Sequence, residues 1–257
     1  MQIVSLKNVT KRYGDIVVVD DLSMEVNSGE IVALLGQTGA GKSTVLNMIM
    51  GQTEPTAGEV RVDGIDPVKN GAALRGRIAV SFQTDRLLPW RTAEHNVSLG
   101  MEYLGIDKAE RRDRARKWLN RVNLDDVHHD KFPYQLSGGM RQRVSLARAM
   151  TIDPELILLD ESFSQLDHMT SKVLRNDFVA LIKEFSKTCL LITHRIDDAI
   201  EMADRIIVLA IPARIKYELA IDRKNSDAQS LAHARDLVTA ELSEVGEVNQ
   251  GKASGIA

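Results

Sequence analysis

Gly36-Gln37-Thr38-Gly39-Ala40-Gly41-Lys42-Ser43 is an unbroken G-x-x-x-x-G-K-S. Glycines let the backbone wind tightly enough for successive N–H groups to converge on a β-phosphate, and the positive end of a following helix adds to that field. Lys42 would neutralise β- and γ-phosphate oxygens, and the Ser43 hydroxyl would be offered to Mg2+. The apolar run from Ile31 to Leu35 precedes the motif and a helical pattern opens behind it at Thr44, the strand–loop–helix setting this chemistry needs. A glycine-rich turn that merely contains a lysine has no reason to carry both flanks. The motif implies binding of a nucleoside triphosphate.

A second signal is Leu156-Ile157-Leu158-Leu159-Asp160-Glu161, four apolar residues ending in two acids. A buried strand here would bring Asp160 to the edge of a sheet, where its carboxylate can hold Mg2+ through water. Glu161, one residue on, would polarise the attacking water as general base. Alone this is an ordinary strand end; with the phosphate motif upstream it points to hydrolysis rather than passive binding. The third signal is Leu136-Ser137-Gly138-Gly139-Met140. Ser-Gly-Gly at a helix start is an anion site by the same backbone and dipole physics, or else a plain N-cap. A chain with one phosphate cradle does not obviously need another, so this second site suits a nucleotide held by another copy.

Positioning these groups takes buried strands alternating with helices. Short β-like segments at Ile3–Val9, Ile16–Val19, Leu22–Val26, Ile31–Leu35, Glu59–Val62, Leu156–Leu159, Leu190–Thr193 and Ile206–Ile211 alternate with longer helical patterns, which predicts an α/β fold with a largely parallel sheet. Tyr13-Gly14-Asp15 and Asp63-Gly64 read as turns. From Asp107 to Val122 a highly charged stretch carries Ala115, Leu119 and Val122 at helical spacing, a solvated helix rather than a nucleic-acid surface. A further helix is expected from the Ser-Gly-Gly through Val144, Ala147 and Met150, stopping before Pro154. Gln229–Leu242 reads as one helix and Gly246–Ala257 as a flexible tail.

At 257 residues, with 44% hydrophobic and 27% charged residues and a net charge of −3, the chain has an ordinary globular balance without the basic excess of a nucleic-acid binder. Its single cysteine, Cys189, excludes an internal disulfide and a cysteine-based zinc site. No apolar run approaches the roughly 18 residues of a membrane span, and the start of the chain alternates like a strand without the apolar core of a signal peptide. A soluble protein is expected, with any membrane role passing through a partner.

From Val4 to about Ile215 these motifs, in this order, resemble the ATP-binding subunits of ATP-binding-cassette (ABC) transporters. The resemblance implies a P-loop NTPase core with a mainly parallel sheet, N-terminal antiparallel strands and a helical subdomain at about 84–150, all within an ATP-binding domain of residues 1–225, followed by the C-terminal helix and tail at 226–257. It implies a head-to-tail dimer, of two identical copies or with a sister subunit, sandwiching ATP and Mg2+ between Gly36–Thr44 of one protomer and Ser137, Gly138, Gly139 and Met140 of the other. Tyr13 would stack on adenine, Gln83 would touch Mg2+ and the attacking water, His194 would contact the γ-phosphate, and Asp167 would couple the two sites. Leu87-Leu88-Pro89-Trp90 lies where the family docks a membrane permease subunit, though an apolar run there could equally be local core. A peripheral position on the cytoplasmic face of the inner membrane follows, with a solute-binding protein as an indirect partner and no nucleic acid.

Gln83–Trp90 and Phe132–Arg143 look like the branch that imports nitrate, sulfonates, taurine, bicarbonate and related solutes. Ser162, Ser164, Gln165 and Arg195 depart from the family pattern. Ser162 stands where a proline is usual, which frees a backbone torsion beside Glu161. A soluble cassette of DNA repair or translation is the alternative, disfavoured by one cassette, a short insertion and the absent basic tracts. A cassette that binds ATP without turning it over is the other.

Overall fold

The protein is described here from a computed structural model that covers residues 1–163, 168–223 and 227–253. Contacts divide the chain into two units, one of Met1–Leu74 with Thr188–Ala257 and the other of Arg75–Lys187.

In the first unit, β1 (Gln2–Tyr13) pairs antiparallel with β2 (Ile16–Asn27) and with β4 (Ala57–Val62) on its other side. The turn between β1 and β2 falls at Gly14, whose φ of 58° suits glycine. The sequence expects two strands within 16–26, separated by the polar pair Asp20-Asp21. They are one strand. Asp21 takes a φ of 48° within an irregular register, and the carboxylate accepts a 3.0 Å hydrogen bond from Asn8, so a residue pair that reads as a turn is accommodated as a bulge.

β3 (Ile31–Leu35) is buried along its whole length and lies parallel between β7 (Thr188–Thr193) and β8 (Arg205–Leu209). Such uninterrupted Val, Ile and Leu runs are what strands covered on both faces require. Each fully buried side chain of this kind contributes about 1.5–3 kcal/mol. β9 (Ile215–Ala220), which the sequence pattern does not announce, closes the edge antiparallel to β8. The start of β3 is pinned: Ile31 N donates to the Asp204 carboxylate at 2.8 Å, Cys189 N donates to Glu30 O at 2.9 Å, and Arg205 Nε reaches the Glu30 carboxylate at 2.6 Å. Helices α1 (Lys42–Ile49), α7 (Ile196–Met202) and α8 (Ala228–Ala253) complete this unit.

In the second unit, β5 (Ile78–Ser81) and β6 (Leu156–Asp160) are parallel neighbours. With them lie α2 (Ala93–Val97), α3 (Leu99–Tyr103), α4 (Lys108–Arg121), α5 (Gly138–Met150) and α6 (His168–Glu184). The charged stretch is α4, capped by Asp107, with Ala115, Leu119 and the following Val122 buried as their spacing requires. The sheets and helices together form a mixed α/β architecture with antiparallel N-terminal strands.

Candidate functional site

β3 hands directly into the loop 36–41, and α1 begins at Lys42. Gly41 is the N-cap with a φ of 82°, it has no side-chain cap, and no acid sits in the first turn. The positive end of α1 is therefore left to an anion. A Cβ on Gly41 would stand 2.7 Å from the Val18 carbonyl oxygen, so close backbone approach as well as φ requires glycine there. Gly36 and Ala40 are buried, Thr38, Gly39 and Ser43 are exposed, and Gln37 and Thr44 lie between. Lys42 is 7% exposed and folds over its own loop, Nζ donating to Gly36 O at 2.6 Å and Gln37 O at 2.9 Å. An ammonium held by carbonyls at the mouth of an uncapped helix is a cation ready to exchange those acceptors for phosphate oxygens.

Gln37 Nε2 also donates to the Leu242 carbonyl of α8 at 3.2 Å, a contact from the C-terminal helix to the loop that no motif announces. Tyr13, half exposed, has Lys11 Nζ 5.0 Å from its ring centroid. His194 follows the last residue of β7 and is exposed. Its turn is built by Thr193, whose Oγ1 accepts from Arg195 N at 3.0 Å and donates to the buried Asp198 at 3.3 Å.

The second unit carries the remaining groups. Asp160 ends β6 and Glu161 follows with a φ of 49°, a left-handed conformation that a glutamate adopts only under constraint. Next to it the buried Ser162 hydroxyl donates to Ser81 O at the end of β5 at 2.8 Å, anchoring the residue that stands where a proline is usual. Gln83 is exposed just past β5. Asp167, with Ser164 and Gln165, lies outside the described residues.

Ser137 is the N-cap of α5, its Oγ accepting from Met140 N at 3.3 Å. The capping reading holds, and one side-chain cap leaves other N–H groups of the first turn available. Ser137 and Gly138 are exposed, and Gly139 and Met140 partly so. A Cβ on Gly139 would meet the Thr170 methyl of α6 at 3.0 Å, which gives that glycine a packing role too. Of the apolar run 87–90, Leu87 is buried whereas Trp90 is 71% exposed, so the run divides between core and surface.

The oxygen donors of Ser43, Gln83 and Asp160 are of the kind Mg2+ takes alongside substrate phosphates. Among the described residues no group of three or more His, Cys, Asp and Glu is arranged to hold a metal by itself.

The ABC transporter family pattern matches residues 19–164. An uncharacterized ABC transporter ATP-binding protein of Methanocaldococcus jannaschii is 40% identical over 222 residues, 84% of this chain and 81% of that one. The taurine import ATP-binding protein TauB of Yersinia pestis is 42% identical over 205 residues, 79% of this chain and 78% of that protein. A dimeric structure of a post-hydrolysis ATP-binding cassette bound to ADP and Pi superposes with a TM-score of 0.74 at 34% identity, covering 84% of this chain and 98% of that one. The chain belongs to the ABC transporter family. It is an ATP-binding subunit of that family, whose members are ATPases.

Proposed function

We propose that this chain is the ATPase subunit of an importer, hydrolysing Mg-ATP to drive uptake of a small solute of the taurine, sulfonate, nitrate or bicarbonate kind. The observation that carries the reading is the phosphate loop itself, with Lys42 buried over an uncapped, acid-free helix start. The taurine importer's ATP-binding protein among the relatives supports the solute class. The dimeric cassette bound to ADP and Pi supports a pair of protomers.

In this reading the loop 36–44 binds the phosphates and Tyr13 stacks on adenine. Ser137–Met140 of a second protomer, identical or a sister subunit, covers the γ-phosphate, and Asp167 couples the two sites. Glu161 removes a proton from water as its oxygen bonds to the γ-phosphorus, and the bond to the bridging oxygen breaks to leave ADP and phosphate. His194 and Gln83 orient the γ-phosphate and the water. Ser43, Gln83 and Asp160 would offer oxygens to Mg2+, whose chemistry there would be charge neutralisation at the phosphates.

No helix among the described residues is long and apolar enough to cross a membrane. A permease contacted near Trp90 would hold the chain at the cytoplasmic face of the inner membrane, with a solute-binding protein reached only through it. Pull-down from detergent-solubilised native membranes tests this. Recovery of a multi-span permease is expected; recovery of soluble or nucleic-acid partners alone would contradict it.

A further inference from the structure

Within the second unit, the segment that follows Gln83 is bolted to the helix that begins at Ser137. Arg141 Nε donates to Asp85 Oδ2 at 2.9 Å, while its Nη1 donates at 2.9 Å to the carbonyl of Leu136, the residue before Ser137. Two turns along the same face, Arg148 donates to the backbone carbonyls of Asp85 at 2.6 Å and Arg86 at 2.9 Å. The other carboxylate oxygen of Asp85 accepts from Leu87 N at 3.1 Å. One carboxylate therefore joins the 87–90 segment, through its buried end at Leu87, to α5.

The far side of that segment is fixed as firmly. Asn96 is fully buried, accepts from Leu88 N at 2.7 Å, and directs its amide NH2 at the carbonyls of Leu88, Arg91 and Thr92 within 3.1 Å. Arg86 holds a φ of 45° with its guanidinium 3.6 Å from the Phe82 ring centroid. From Trp90 the chain runs back through Pro89 and Leu88 to Leu87, and from Leu87 N the path to Asp85, Arg141 and the Leu136 carbonyl is made of hydrogen bonds and the side chains that carry them.

We propose that Asp85 is a positioning residue, clamped by Arg141 and Arg148, that makes the Gln83–Trp90 segment and the Ser137 helix move as one body. Closure of Ser137–Met140 on a nucleotide is then felt at Trp90, and displacement of Trp90 is felt at Ser137. A charge-assisted pair suits this role because it resists stretching while the exposed tip remains available to a partner. The inference rests on reading Ser137–Met140 as the element that closes on ATP.

The chain contains two tryptophans, Trp90 and Trp118, so a Trp118→Phe background leaves Trp90 as sole reporter. A non-hydrolysable ATP analogue with Mg2+ should change Trp90 emission in that background. Asp85→Asn and Arg141→Gln should each cut the amplitude by about threefold or more, and the double variant should lose no more than either single one. Analogue affinity, followed with a fluorescent nucleotide, should stay within about twofold. Asp85→Glu, which keeps the charge, should recover most of the signal. Asp85→Asn is nearly isosteric and carries the test if Arg141→Gln does not fold. Undiminished amplitude in Asp85→Asn, additive losses, or a parent that binds the analogue with Trp90 silent would overturn the proposal. A parent that fails to bind the analogue would overturn it together with the ATPase reading.

Discussion

Glu161 sits at a φ of 49°, and the residue after it, Ser162, anchors its hydroxyl on Ser81 O at the end of β5. Replacing Ser162 by Ala leaves a buried carbonyl without that donor, and unfolding should become easier by about 1–3 kcal/mol in a denaturant titration. ATP turnover in the same variant should fall more than ATP affinity, since the lost bond lies beside the proposed base rather than the phosphate loop. At this scale the sequence was generous where chemistry dictates residue type: the phosphate loop, the acid pair and the Ser-Gly-Gly are all legible. It was silent on Gln37 reaching Leu242, because a single long-range hydrogen bond leaves no spacing pattern.

At the scale of elements, positions set by periodicity were readable and positions set by partners were not. The buried strand β3 and the helices α4 and α5 follow from apolar runs and 3.6-residue spacing. β9 escaped because an edge strand with a half-exposed pattern carries little apolar signal, and the continuity of β2 escaped because Asp20-Asp21 mimics a turn. Equally hidden was Asn96, whose amide organises the stretch from Leu88 to Thr92 without any motif. Asn96→Ala removes the side-chain partner of the part-buried Leu88 N and Arg91 O, while Leu88 O and Thr92 O keep backbone donors, and should lower stability by about 2–3 kcal/mol in thermal or denaturant unfolding. Asn96→Asp should not rescue it, because a carboxylate cannot donate to three carbonyls.

For the molecule as a whole, the half-buried ion pair at the base of β3 ties stability to pH. Burial pushes the Glu30 carboxyl up, but hydrogen bonds from Arg205 and Asn27 and the Arg205 charge together outweigh it, so Glu30 ionises below its usual 4.5. A depressed carboxyl contributes stability that is fully present above the unfolded value and is lost as pH falls through the folded one. Glu30→Gln should therefore be less stable than the parent at pH 7, by about 1–2 kcal/mol, with the gap closing as pH falls below the usual 4.5. A gap that widens on acidification would reverse this assignment.

In the proposed function the chain hydrolyses ATP with Glu161 as base, within a pair of protomers closed by Ser137–Met140. The most direct test combines phosphate release and sedimentation for the parent and for Glu161→Gln, each with Mg-ATP. The parent should release phosphate. The variant should lose turnover by about 100-fold or more while sedimenting as an ATP-dependent dimer. Turnover equal to the parent's, or a variant that stays monomeric with ATP bound, would contradict the account.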